Sequence, residues 1–158
     1  MNIIITGLIT GSMLALLAIG FSLIFGVARI VNIAHTAFYM VAGYCIYVLS
    51  VKLGLHPVLG MLIAVVVVTV LGLLAYKFLI DPIREHEAAV LIATIALAMI
   101  FQEAMLLIFT GDYLTVTALI EGYFILFGVK IFYQQVLTFG VVLVLLAVLW
   151  FLLMKTKL

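Results

Sequence analysis

Four polar side chains interrupt runs that are otherwise apolar: Asn32 and His35 in "RIVNIAHTAFYM", and Gln102 and Glu103 well inside a later run. An amide and an imidazole together offer both donors and acceptors to a polar solute. On a helix, Asn32 and His35 lie three apart and share a face. If the helix is broken there, they sit beside free backbone groups that can also bind a polar solute. The plainer alternative is that both lie near Arg29 at the membrane surface, with Asn32 capping the helix that follows. Gln102 and Glu103 are adjacent, so on a helix they point about 100° apart and cannot serve the same neighbour. A helix–helix hydrogen bond and a place on a transport pathway both fit them.

Other polar positions read differently. "DPIREHE", Asp81 to Glu87, is a charged turn that Pro82 opens by stopping a helix. It is either a solvated turn or, through Pro82 and Arg84, a surface that a cytosolic partner recognises. His56-Pro57 reads as a turn without a chemical role. The single Cys45 excludes an intrachain disulfide and a cysteine metal cluster, and reads as a small packing residue. No paired metal ligands, nucleophile elbow or phosphate loop appears, so neither a metal nor another cofactor is expected on this chain, and an enzyme is disfavoured. The net charge of +1, without a basic cluster, gives no reason to expect nucleic acid.

The elements that must position these residues are set by composition. The chain is 70% hydrophobic and 8% charged, whereas soluble domains are about half apolar and about a quarter charged. Its mean hydropathy of +1.56 cannot be wrapped in a water-facing surface, so the solvent is lipid. A helix crosses the hydrocarbon in about 20 residues. Five runs are long enough: 3–27, 31–50, 58–79, 88–110 and 132–154. Unpaired backbone is costly in lipid and no alternating strand pattern is present. The expected class is therefore all-α, a polytopic bundle of five spans in one domain over 1–158. The first run lacks a basic lead-in and exceeds the core of a signal peptide, so it reads as a span that stays.

With five spans the two ends fall on opposite sides. Arg29, Lys77, Arg84, Lys155 and Lys157 then share one side, and Lys52 and Lys130 the other. The basic side faces the cytoplasm, which places the N-terminus outside and the C-terminus inside. The segment "EGYFILFGVKIFY" is too short to span and turns at Phe127-Gly128. A short hairpin near 122–132 on the outer surface is expected, with an interfacial or re-entrant helix as the alternative. In the first span Gly7, Gly11 and Ala15 recur every four residues. That stripe of small side chains lets another helix approach closely.

"TGLITGSMLALLAIGFSLIFGVARIVNIAHTAFYMVAGY", Thr6 to Tyr44, resembles the opening of the branched-chain amino acid permeases of ABC importers. Gly7, Gly11, Ala15, Leu16, Ala18, Gly20, Gly26, Asn32, Ala34, His35, Gly43 and Tyr44 match that family's pattern. Pro82, Arg84, Ile95 and Gln102 in "LIDPIREHEAAVLIATIALAMIFQEA" match a later part of it, and "LLMKTKL" resembles the end of the span before its cytoplasmic loop. The Asn-x-Ala-His element in a Gly-rich setting is the specific part. The resemblance implies a multi-pass permease subunit in the cytoplasmic membrane, working with a second permease, cytosolic ATPase subunits and an extracytoplasmic solute-binding protein. It implies substrates among branched-chain or other amino acids, amides and urea, and a place for Asn32 and His35 near the route. Thr36, Ala37 and Glu103 depart from the pattern. Family members are longer, so the chain corresponds to an N-terminal half: a fragment, a split subunit or a degenerate copy. A small membrane protein that acts only through helix packing, as an assembly or regulatory partner, is the competing reading.

Overall fold

A computed structural model describes residues 2–116, 118–126 and 129–155. Among the described residues, five helical stretches are long and apolar enough to cross a membrane: Gly7–Val27, Ala34–Lys52, Pro57–Ile83, Glu87–Phe109 and Tyr133–Phe151. Their α-helices are α1 (Asn2–Ala28), α2 (Ala34–Tyr47), α3 (Pro57–Ala75), α4 (Glu87–Phe109) and α5 (Tyr133–Lys155), and α2 reaches membrane length only with the turn that follows it. A π-helical turn, Val48–Lys52, prolongs α2. Another, Tyr76–Ile80, prolongs α3 and runs into a short 3-10 turn, Asp81–Ile83. The all-α polytopic class expected from composition is the class found.

The hairpin is also present. Strands β1 (Tyr123–Leu126) and β2 (Val129–Phe132) pair antiparallel, with Tyr123 opposite Phe132 and Phe124 opposite Ile131. The turn residues Phe127 and Gly128 lie outside the described residues, as does Lys157. Tyr123 and Phe132 meet edge to face at 6.1 Å, and the Lys130 ammonium sits 5.1 Å from the Tyr123 ring centre. Such aromatic cross-strand pairs are what hold a two-stranded ribbon together.

The chain divides into two compact units, residues 24–117 and residues 1–23 with 118–158. In the first, α2 packs against both α3 and α4. Lipid tails are as apolar as leucine, so burying leucine does not drive this packing; close approach of small residues does. Most buried residues on α2, α3 and α4 follow that rule: Ala34, Ala37, Gly60, Ala64, Thr94 and Ala98 are small, with Val41 and Val90 as the larger exceptions. Gly60 on α3 approaches α2 so closely that an added Cβ would stand 2.7 Å from Ser50 Oγ. Many large apolar residues point outward, as Val65, Val66 and Leu107 do.

Helix ends are where the chain departs from plain spans. The run expected as a span from residue 31 becomes helical only at Ala34, leaving a five-residue break over 29–33. Arg29 ends α1 in the left-handed region, with φ 53°. Its amide donates to Phe25 O at 2.9 Å, which is the single bond of a left-handed helix cap. Glycine is the usual residue there, because a Cβ is crowded in that conformation. His56 begins α3: its Nδ1 accepts from Val58 N–H at 3.4 Å, and Pro57 takes the first helical position. The turn at His56-Pro57 is thus a cap.

Candidate functional site

The break between α1 and α2 is held in place by one side chain. Thr94 on α4 is fully buried. Its hydroxyl accepts from Ile33 N–H at 3.3 Å and donates to Leu91 O at 3.0 Å, with Val31 O further off at 3.5 Å. A backbone segment without helical hydrogen bonds needs other partners for its buried polar groups. Thr94 supplies part of that satisfaction. Below it, Ile30 packs with Ile80 and Val90 in a small apolar cluster, which ties the break to the Asp81–Ile83 turn and the start of α4.

Asn32 and His35 come together in a cavity of about 230 Å³. Phe38, Gly72, Tyr76 and Leu97 line it with them, drawn from α2, α3 and α4 and from the π-helical turn after α3. Such π turns recur at functional sites, because they displace side chains relative to a regular helix. Asn32 does not cap α2. Ile33 occupies the cap position and makes no side-chain bond. The Asn32 Oδ1 is buried without any hydrogen-bond partner, although the residue's backbone carbonyl accepts from His35 N–H at 3.4 Å. The capping alternative is therefore overturned: the side-chain acceptor has not been turned back to the helix. A buried acceptor left unpaired costs about 1–3 kcal/mol, and here it belongs to a residue that lines the same cavity as His35.

The other candidate residues are placed elsewhere. Gln102 and Glu103 are exposed on α4 and line neither this cavity nor its neighbours. Pro82 and Arg84 are exposed in the turn before α4, where Arg84 pairs with Asp81 at 3.4 Å. Among the described residues, nothing lies within 4 Å of a Cβ added at Gly7 or Gly11. At the far end of α2, Tyr44, Tyr47, Asp112 and Tyr113 line a separate cavity of about 380 Å³. Its one carboxylate already bonds the Thr110 hydroxyl.

Comparison with known proteins bears on what this constellation belongs to. The model of a family described as "Branched-chain amino acid transport system / permease component" matches residues 3–158. The chain belongs to that permease family. A curated relative, the high-affinity branched-chain amino acid transport system permease protein BraD of Pseudomonas aeruginosa, is 28% identical over 152 residues, covering 87% of this chain and 50% of the relative. The chain thus spans about half the length of the curated relative it matches. No solved structure matches. As a permease-family chain with five membrane-length helices it is a multi-pass membrane protein of a non-enzymatic class.

Within this permease-family chain, Thr94 is the site residue that sequence reasoning missed. A lone threonine in a span usually bonds its own helix, as Thr69 does to Val65 O at 2.7 Å. The available signal was its place one residue before Ile95, inside the segment "AVLIATIALAMIFQEA" that carries the family resemblance.

Proposed function

We propose that the chain is a membrane subunit of an ABC importer for branched-chain or closely related amino acids, with amides and urea as the wider class. ATP hydrolysis is supplied by separate cytosolic subunits. A second permease and an extracytoplasmic binding protein complete the assembly, in the cytoplasmic membrane with the N-terminus outside. The observation that carries this reading is the unpaired Oδ1 of Asn32, a residue that lines one cavity with His35 at the non-helical connection between α1 and α2. Backbone groups left free of helical bonding at a helix end are available to a polar solute. Family membership supplies the transport class, and the name of the relative supplies the solute class. Pro82 and Arg84 are the cytosolic contact for the ATPase in this reading, and Gln102 and Glu103 face the second permease side of the path.

The test is uptake of labelled L-leucine by membranes carrying the chain with its ATPase, second permease and binding protein. Asn32→Ala and His35→Ala each lower uptake at least tenfold while leaving the chain in the membrane. Unchanged uptake in both variants would sink the site assignment. The small-residue stripe Gly7, Gly11 and Ala15 favours a second reading, a helix-packing partner that transports nothing. Purification from native membranes separates the two: ATPase and permease partners retained with the chain support transport, and a self-contained oligomer of the chain alone supports the second reading.

A further inference from the structure

The break over 29–33 separates two cavities. Ile30 lines both. Asn32 opens into the one already described, whereas Arg29 and Val31 open into another of about 330 Å³, together with Phe25, Glu87 and Leu91. That volume lies at the small end of the range for small-molecule sites, roughly 300–1,000 Å³. This second cavity is an open groove that brings a guanidinium and a carboxylate, both exposed, to the same space without pairing them. Among the described residues the only ion pair is Asp81–Arg84, so Arg29 and Glu87 line one cavity but are not bonded to each other.

The backbone adds an independent observation. Arg29 is held at φ 53°, a conformation that disfavours any side chain and suits glycine. A strained backbone retained at a charged residue is a pointer to a role for that residue. Arginine gives up conformational ease here, and what it contributes in return is a planar fork of donors that fits a carboxylate in two places.

We propose that this cavity is a second station for the transported solute, and that it selects a zwitterionic α-amino acid with an aliphatic side chain. The Arg29 guanidinium takes the α-carboxylate and the Glu87 carboxylate takes the α-ammonium. Ile30 and the exposed apolar side chains of Phe25, Val31 and Leu91 flank the apolar remainder on one side. The solute passes between the two stations by displacing Ile30, the side chain common to both walls. Thr94, bonded to the break at Ile33, fixes the position of that divide. Glu87 also stands in the first turn of α4, where a carboxylate stabilises a helix N-terminus. That role explains the charge of Glu87 and leaves Arg29 unexplained. This inference rests on the transport reading above.

Equilibrium binding of labelled L-leucine to the full chain in lipid nanodiscs tests it. Two stations predict two equivalents bound. Competition by 4-methylpentanoate, which lacks the ammonium, and by isoamylamine, which lacks the carboxylate, is expected to be at least tenfold weaker than by leucine at the second station. Arg29→Gly relieves the backbone strain, so it raises thermal stability while abolishing one equivalent. Arg29→Lys retains that equivalent with weakened affinity, and Glu87→Gln weakens it at least tenfold. A folded Arg29→Gly chain that still binds two equivalents overturns the proposal. If the wild-type chain binds one equivalent that His35→Ala removes and Arg29→Gly does not, the second station alone is wrong. If it binds none, the transport reading and the second station fall together.

Discussion

Replacing Thr94 by valine isolates the hydroxyl that holds the helix break. Valine keeps the branched shape, so packing around this fully buried position changes little. What is lost is the acceptor for Ile33 N–H at 3.3 Å and the donor to Leu91 O at 3.0 Å. Leu91 O remains within its helix and loses little. Ile33 N–H has no helical alternative, and an orphaned buried donor costs about 1–3 kcal/mol. Two effects pull this toward the lower half of the range: the bond is longer than the usual 2.9–3.0 Å, and interhelical bonds in membranes average about 0.6 kcal/mol. A loss of about 1–2 kcal/mol in ordering the break follows. Since every 1.4 kcal/mol is tenfold in an equilibrium constant, apparent solute affinity falls roughly 5- to 30-fold if the ordered break is the binding-competent state. Thr94→Ser removes a methyl and keeps the hydroxyl, so it costs packing but preserves the bond. Leucine binding in nanodiscs, alongside thermal melting, separates these. The expected order of affinity is wild type, then Ser, then Val. A valine variant that binds like wild type while serine is impaired refutes the reasoning, because methyl packing would then be the operative feature.

Three further outcomes are expected. Asn32→Leu removes an unpaired buried acceptor, so thermal stability holds or rises by about 1 kcal/mol while leucine uptake drops at least tenfold; a variant that transports normally contradicts the assignment. Gly60→Ala drives a methyl against Ser50 Oγ and costs roughly 1–3 kcal/mol by overpacking. Combining it with Ser50→Ala, which removes that oxygen, recovers part of the loss in a double-mutant cycle, and strict additivity would show that the two do not meet. Arg84→Ala breaks an ion pair exposed on both sides, so stability changes by less than about 1 kcal/mol while ATPase co-purification falls; unchanged co-purification removes Arg84 from the partner surface.

The spans were legible in the sequence because lipid enforces a length and a composition, and α1 to α5 fall where the apolar runs lie. The hairpin was legible because "EGYFILFGVKIFY" is too short to span and rich in strand-forming residues. The shape of the break was not. Hydropathy runs almost without interruption from Ile30 into α2, so nothing local announces that Arg29 turns left-handed or that helix resumes only at Ala34. The three-residue spacing of Asn32 and His35 was read as one helix face, whereas Asn32 lies before α2 begins; that both line one cavity with Gly72 and Tyr76 depends on how α2 meets α3. Gln102 and Glu103 were conspicuous for their polarity, yet they are exposed on α4. Polarity marks a residue that needs a partner and does not say on which face of the helix that partner stands. Thr94 was inconspicuous for the converse reason: a hydroxyl can always bond its own helix, and only the tertiary structure shows that this one also reaches the break.

The central claim is that Asn32 and His35 line a solute pathway, and accessibility tests it most directly. Cys45 is the only cysteine, so a Cys45→Ser background permits single cysteines to be introduced. Cysteine placed at position 32 or 35 is expected to react with a membrane-impermeant thiol reagent, and L-leucine is expected to slow that reaction at least threefold. Cysteine in place of Leu107, exposed on the apolar α4 and chosen as a lipid-side control, is expected to stay unreactive. Sites at 32 and 35 that are as inert as 107, or that react at a rate leucine does not change, would contradict the pathway.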